Sequence, residues 1–114
     1  MSGHTDREML ELAAKAAGIA GQIKPTADGA MWLFRDDNSP PWNPLTDDGD
    51  ALRLAVKLNM LVDVAGEQAH THAFGGSVSH YGEAIETHDG AYGPLEATRR
   101  AIVRAAAAIG ESMP

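Results

Sequence analysis

The sequence predicts an α+β fold, an antiparallel sheet of hairpins packed with three helices in the order α-β-β-α-β-β-α. Three observations carry it. The opening segment combines a capping-box start with apolar residues at helical spacing. Asp-Gly and Gly-Gly turn signals then punctuate two apolar, partly alternating stretches. A proline-led run rich in Ala and Ile closes the chain. The 114 residues fit one domain, residues 1–114, with a single modest core.

Residues 5–17 read as the first helix. Thr5 and Glu8 form an S/T-x-x-E capping box, and Gly18 stands where a left-handed cap is expected. Met9, Leu12, Ala13, Ala16 and Ile19 recur at helical spacing and are expected to face the core. Residues 23–35 follow as a hairpin turning on Asp28-Gly29, read as a type I′ turn. Pro25 cannot donate to a ladder, so its strand belongs at a sheet edge. Trp32 and Phe34 share a strand face and are expected in the core.

Residues 36–44 form a loop, since Pro40, Pro41 and Pro44 preclude regular structure. Thr46 is expected to cap the second helix, with Asp47, Asp48 and Asp50 against its N-terminal dipole. Ala51, Leu54, Ala55 and Leu58 make its inward stripe, Leu52 and Val56 widen it, and Asp50, Arg53 and Lys57 fall on the wet face. Residues 61–65 read as a buried strand and 68–74 as an alternating one. After Gly75-Gly76 comes a weaker strand near 78–81, and 83–93 is expected to be partly irregular. Pro94 opens the third helix, which runs from 95 to about 111 with Leu95, Thr98, Ile102, Ala105 and Ile109 inward.

Sixteen acidic residues against nine basic ones give a net charge of −7. A uniformly acidic surface repels a phosphate backbone, so direct nucleic-acid binding is disfavoured, while a local basic patch can still hold a small anion. The chain has no Cys, which excludes disulfides, thiolate metal sites and thiol nucleophiles. No apolar run reaches the ~20 residues of a membrane span, and the opening residues lack a secretory layout. A cytoplasmic location is expected.

Four of the five histidines lie between 70 and 88. His70 and His72 emerge on one strand face, and His80, Glu83 or His88 could complete a metal set. The plainer reading, a solvated sheet face, is favoured, so no metal and no cofactor are expected. The Asp36-Asp37-Asn38 loop and the Asp47–Asp50 run lack the EF-hand pattern, and helix capping accounts for the second. On the third helix Glu96, Arg100 and Arg104 recur at i, i+4, i+8, with Arg99 beside them. Guanidiniums on one ridge can grip phosphate or carboxylate bidentately, and the alternative is a solvated charge stripe. Trp42 is either a lid on the core, which is favoured, or a stacking platform for a ring. No G-x-S-x-G, phosphate-binding Gly-rich loop or H-E-x-x-H is present, so no catalytic residue is assigned and a non-enzyme is expected.

Two stretches carry a resemblance: Trp42-Asn43-Pro44-Leu45-Thr46-Asp47-Asp48-Gly49-Asp50-Ala51-Leu52-Arg53-Leu54-Ala55-Val56-Lys57, and Pro94-Leu95-Glu96-Ala97-Thr98-Arg99-Arg100-Ala101-Ile102-Val103-Arg104-Ala105-Ala106. With them the chain resembles small phage and prophage proteins of the NinX and phage ABA-sandwich type. More distantly it is similar to phage anti-Thoeris sponges that sequester nucleotide immune signals. The resemblance implies a phage-encoded, non-catalytic counter-defence protein that sequesters a phosphate-bearing nucleotide. Arg100 and Arg104 would grip phosphate, Glu96 would orient a hydroxyl or an arginine, and Arg99 and Trp42 would complete the ligand site. The alternative is an acidic inhibitor that blocks a basic groove on a host defence protein complex. A homo-oligomer built on the small-residue face of Val103, Ala107 and Ala108 is expected, with no membrane partner.

Overall fold

The computed structural model describes residues 5–64, 70–75, 82–87 and 93–113. It is an α+β structure with three helices and small antiparallel sheets. Among the described residues the elements are α1 (Asp6–Ala17), β1 (Gly21–Pro25), β2 (Met31–Arg35), α2 (Asp48–Lys57), β3 (Leu61–Val64), β4 (His70–Gly75), β5 (Gly82–Thr87) and α3 (Pro94–Ser112). Two sheets, β1-β2 and β3-β4-β5, stand where a single one was expected. No helix among the described residues is long and apolar enough to cross a membrane.

The local signals at α1 operate as read. Thr5 Oγ1 accepts from the Glu8 N–H (3.1 Å), and Glu8 Oε1 accepts from the Thr5 N–H (2.8 Å). Gly18 takes φ +73°, and the Ile19 N–H reaches back to the Ala14 carbonyl (2.9 Å). The buried face is rotated from the expected one, however. Leu10, Ala14 and Ala17 are buried with Met9 and Ala13, while Leu12 and Ala16 are half-buried. Positions 10, 13, 14 and 17 form a second i, i+3, i+4, i+7 stripe sharing Ala13. Its small residues let α1 approach α3 closely.

That approach centres on Gly110, where an added Cβ would lie 2.0 Å from the Leu12 carbonyl oxygen. Helix α3 packs against α1, β4, β5 and α2, so its buried face is wide, with Arg104 left on the exposed side. Ala97, Ala101, Ile102, Val103, Ala105, Ala106 and Ala107 are all buried, whereas Leu95, in the first turn, lies outside the enclosed stretch and is exposed. Val103 and Ala107 therefore belong to the chain's own core, and Ala108 is half-buried. The small-residue face proposed for self-association is occupied within the chain.

Helix α2 begins one residue later than expected. Asp47, not Thr46, is the N-cap, and its Oδ2 accepts from the Asp50 N–H (2.8 Å). Asp50, expected on the wet face, is only 4% exposed, while Leu52 and Val56 are 64% and 68% exposed. The reason is a polar knot at the helix entry. Asp50 Oδ2 accepts from the Asn43 N–H (2.9 Å), and Asp50 Oδ1 accepts from Arg53 Nη2 (2.8 Å). Buried Asn43 in turn donates from Nδ2 to the Met31 carbonyl (2.6 Å) and accepts at Oδ1 from the Leu45 N–H (2.8 Å).

Strand β3, expected to be buried, exposes Leu61 and Val64 at its two ends, while Val62 packs against the core; it lies beside β4, which is central among the described strands of that sheet. Strand β5 occupies residues placed in the partly irregular 83–93 stretch. Pairing with β4, from His70↔Thr87 to Gly75↔Gly82, supplies order that propensity did not show. The strand expected near 78–81 lies outside the described residues.

Candidate functional site

Of the residues assigned to a ligand site, the arginines on α3 have structural partners. Arg99 Nε donates to the Leu45 carbonyl (2.8 Å) and Nη1 to Asp48 Oδ1 (2.6 Å), with the side chain only 17% exposed. It ties α3 to the start of α2. Arg100 Nη1 lies 3.5 Å from Asp6 Oδ1 and ties α3 to the first turn of α1. Arg104 is exposed and Glu96 half-buried. None of these four side chains lines any of the hollows described below. The ridge exists as a sequence pattern, and two of its guanidiniums are committed to carboxylates of the chain.

Trp42 proves to be the lid rather than an outward platform. It is 2% exposed, and its backbone forms a reciprocal bridge with Leu33, with both N–H···O=C distances at 2.9 Å. His70 and His72 stand two apart on β4, while His80 and His88 lie outside the described residues.

The surface that sequence reasoning missed is the outer face of the first hairpin. A two-residue turn on Asp28-Gly29 would set Ile23 opposite Phe34 and carry Trp32 and Phe34 into the core. Instead the Gly29 N–H donates to the Thr26 carbonyl (2.9 Å), the Thr26 N–H donates to the Ala30 carbonyl (2.8 Å), and Gly29 alone in the loop has positive φ. The loop therefore holds three residues, 27–29, in the pattern of a turn followed by a left-handed residue. Ile23 now pairs with Leu33, Lys24 with Trp32 and Gln22 with Phe34. A shift of one residue exchanges the two faces of a strand, so Leu33 goes in and Phe34, 37% exposed, comes out.

On that outer face Thr26, Ala27, Asp28, Trp32, Phe34 and Pro41 line a shallow hollow of about 530 Å³. The Lys24 ammonium sits 5.8 Å from the Phe34 ring centre. Asp28 at the rim accepts from the Thr26 hydroxyl and from the Ala30 N–H (3.1 Å). Those bonds, the Thr26 hydroxyl first and the Ala30 amide second, hold its carboxyl below the usual range, so it remains an anion near neutrality. A wider groove of about 690 Å³ runs between α1 and β1, but Arg7 and Glu11 in its wall neutralise each other at 3.3 Å. Half-buried Trp32 and exposed Phe34 thus share the outer face, with one cation and one anion at its margin.

Compared with known proteins, the chain matches no family model, no curated protein and no solved structure. The likeness to phage proteins thus rests on the W-N-P and R-R stretches alone. In both stretches the residues have structural tasks: Asn43 organises the entry to α2, and Arg99 fastens α3 to it.

Proposed function

We propose that this protein is a non-catalytic, acidic docking protein that binds a basic surface of a partner protein through the outer face of its first hairpin. The observation that supports it is the outward placement of Trp32 and Phe34 on a chain of net charge −7. Interface hot spots favour large, rigid aromatic side chains, and long-range charge raises the rate at which an oppositely charged partner arrives. A host complex with a basic nucleic-acid groove is the class of partner this charge suits, in keeping with a counter-defence role for a phage product. The nucleotide-sponge reading built on Glu96, Arg100 and Arg104 has less behind it: Arg100 lies 3.5 Å from Asp6 of the chain itself, and none of the three side chains lines a hollow described above.

The test is site-specific photo-crosslinking in the native host, with the reactive residue at Phe34 and, as a control, at exposed Val64. Capture of a basic protein from position 34 alone, weakened by added salt and by Trp32→Ala, supports the reading. Equal capture from both positions, or capture indifferent to Trp32→Ala with helix content unchanged, overturns it.

A further inference from the structure

A second site lies on the other side of the hairpin. Arg35 ends β2 on the inward-facing side shared with Leu33, and it borders a hollow of about 210 Å³ against α2. Arg53 and Lys57, one turn apart on α2, line the same hollow, and Trp42 and Leu54 give it an apolar wall. Three of the chain's nine basic residues thus meet at a cavity whose lining includes no carboxylate. On a molecule with sixteen acidic residues, that concentration is the reverse of what the overall charge would give.

We propose that this hollow is a binding site for a small oxyanion, a phosphate or phosphomonoester group held between Arg35 and Lys57. Arg35 is the residue on which the site turns. Its Nε is buried and has no hydrogen-bond partner among the described residues, as is also true of Arg100 Nε away from the hollow, so this nitrogen is out of a ligand's reach. The two Nη groups of the guanidinium are the donors left to meet an anion, and side by side they match two oxygens of a phosphoryl group. Lys57 has no ion pair among the described residues and adds a second charge as a point cation.

Arg53 plays a different part. Its Nη2 is tied to Asp50 at 2.8 Å, with Asp47 at 3.9 Å, so it contributes field and shape rather than a free fork. Asp36 and Asp37 border Arg35 from an adjoining hollow of about 200 Å³. The Asp37 carboxyl is held below its usual range by its hydrogen bonds with Ser39 and, to a smaller extent, by the charge of Arg35, so one carboxylate does act on Arg35 from outside the cavity. The size of the cavity limits the ligand. Sites for whole drug-sized ligands run from about 300 Å³ upward, so this one suits an anionic head group, with any remainder of the ligand in the mouth.

Two sources could present such a group, free inorganic phosphate or the phosphoryl end of a larger metabolite, and a titration separates them. Inorganic phosphate and a nucleoside monophosphate are each titrated at fixed, low ionic strength, read by calorimetry and by the Trp42 indole N–H resonance. Saturable binding is expected, weakened at least tenfold by Arg35→Gln and several-fold by Lys57→Gln, and unchanged by Arg104→Gln, which removes the same charge elsewhere. Tighter binding of the monophosphate than of phosphate identifies the larger source, and equal binding identifies the free ion. If neither ligand binds the wild-type chain, the site is refuted. The same follows if Arg104→Gln weakens binding as much as Arg35→Gln, or if chloride at matched ionic strength reproduces the indole shift. Circular dichroism of Arg35→Gln separates lost binding from lost folding.

Discussion

Asp50 shows how one side chain organises the centre of the molecule. Its carboxylate serves a buried backbone donor, the Asn43 N–H, and an exposed cation, Arg53. These bonds do not weigh equally. The Arg53 side chain is 71% exposed, so water takes over if the carboxylate is lost, and its share of the stability is heavily screened. The Asn43 N–H has no such recourse, and an orphaned buried donor costs about 1–3 kcal/mol. Asp50→Ala is therefore expected to destabilise by about 2–3 kcal/mol in urea unfolding, with Asp50→Asn retaining an acceptor and losing less. Arg53→Ala is expected to cost well under half as much. Should the Arg53 and Asp50 variants lose the same amount, the ion pair and not the backbone bond would be the important contact. None of this was readable from sequence, because Asp at the third helical position also fits simple pairing with the helix dipole.

Among the elements, several short-range signals translated directly, while the choice of face held for Ala51, Leu54 and Ala55 of α2 and for Ile102 and Ala105 of α3 but not for α1 or β2. The capping box at Thr5 and Glu8, the glycine after α1 and the proline at the start of α3 act through neighbours within four residues, and each operates as read. Faces depend on partners far along the chain. The hairpin was legible at Asp28-Gly29, but whether its loop held two residues or three decided which side of β2 was core, and Asp-Gly serves both. The solitary apolar residue of β1, Ile23 between Gln22 and Lys24, marked the inward side of β1 but not the pairing, since a two-residue loop would set it opposite Phe34 and the three-residue loop sets it opposite Leu33. The helix packing has a similar hidden term at Gly110. Replacing a helical glycine by alanine ordinarily stabilises a helix by up to about 1 kcal/mol. Here the new methyl would meet the Leu12 carbonyl at 2.0 Å, which is backbone and cannot swing away. Gly110→Ala is expected to destabilise by about 1–3 kcal/mol, as overpacked sites do. A rise in the urea midpoint would mean that α1 and α3 are not in backbone contact there.

For the molecule as a whole, the net charge of −7 and the internal ion pairs respond to salt in opposite directions, and their geometry decides which dominates. The molecule spans 40 × 35 × 27 Å. At about 0.01 M salt the screening length is roughly 30 Å, so nearly all charges act on one another and the excess of carboxylates opposes compaction. At about 0.15 M it falls to roughly 8 Å, and only near neighbours still interact. The pairs Arg99–Asp48 at 2.6 Å and Arg100–Asp6 at 3.5 Å lie well inside that distance, with their arginine side chains largely covered. Screening therefore removes the long-range repulsion first and leaves the short contacts mostly intact. Melting of the chain in sodium chloride is expected to show a Tm rise of a few degrees, about 1 kcal/mol or less, with most of it complete by 0.15 M. Chloride is the right salt for this measurement, because phosphate would add any stabilisation from occupancy beside Arg35. A Tm that stays level or falls over that interval would show that the helix-to-helix ion pairs outweigh the repulsion, and that the acidic surface is more dispersed than the total charge implies.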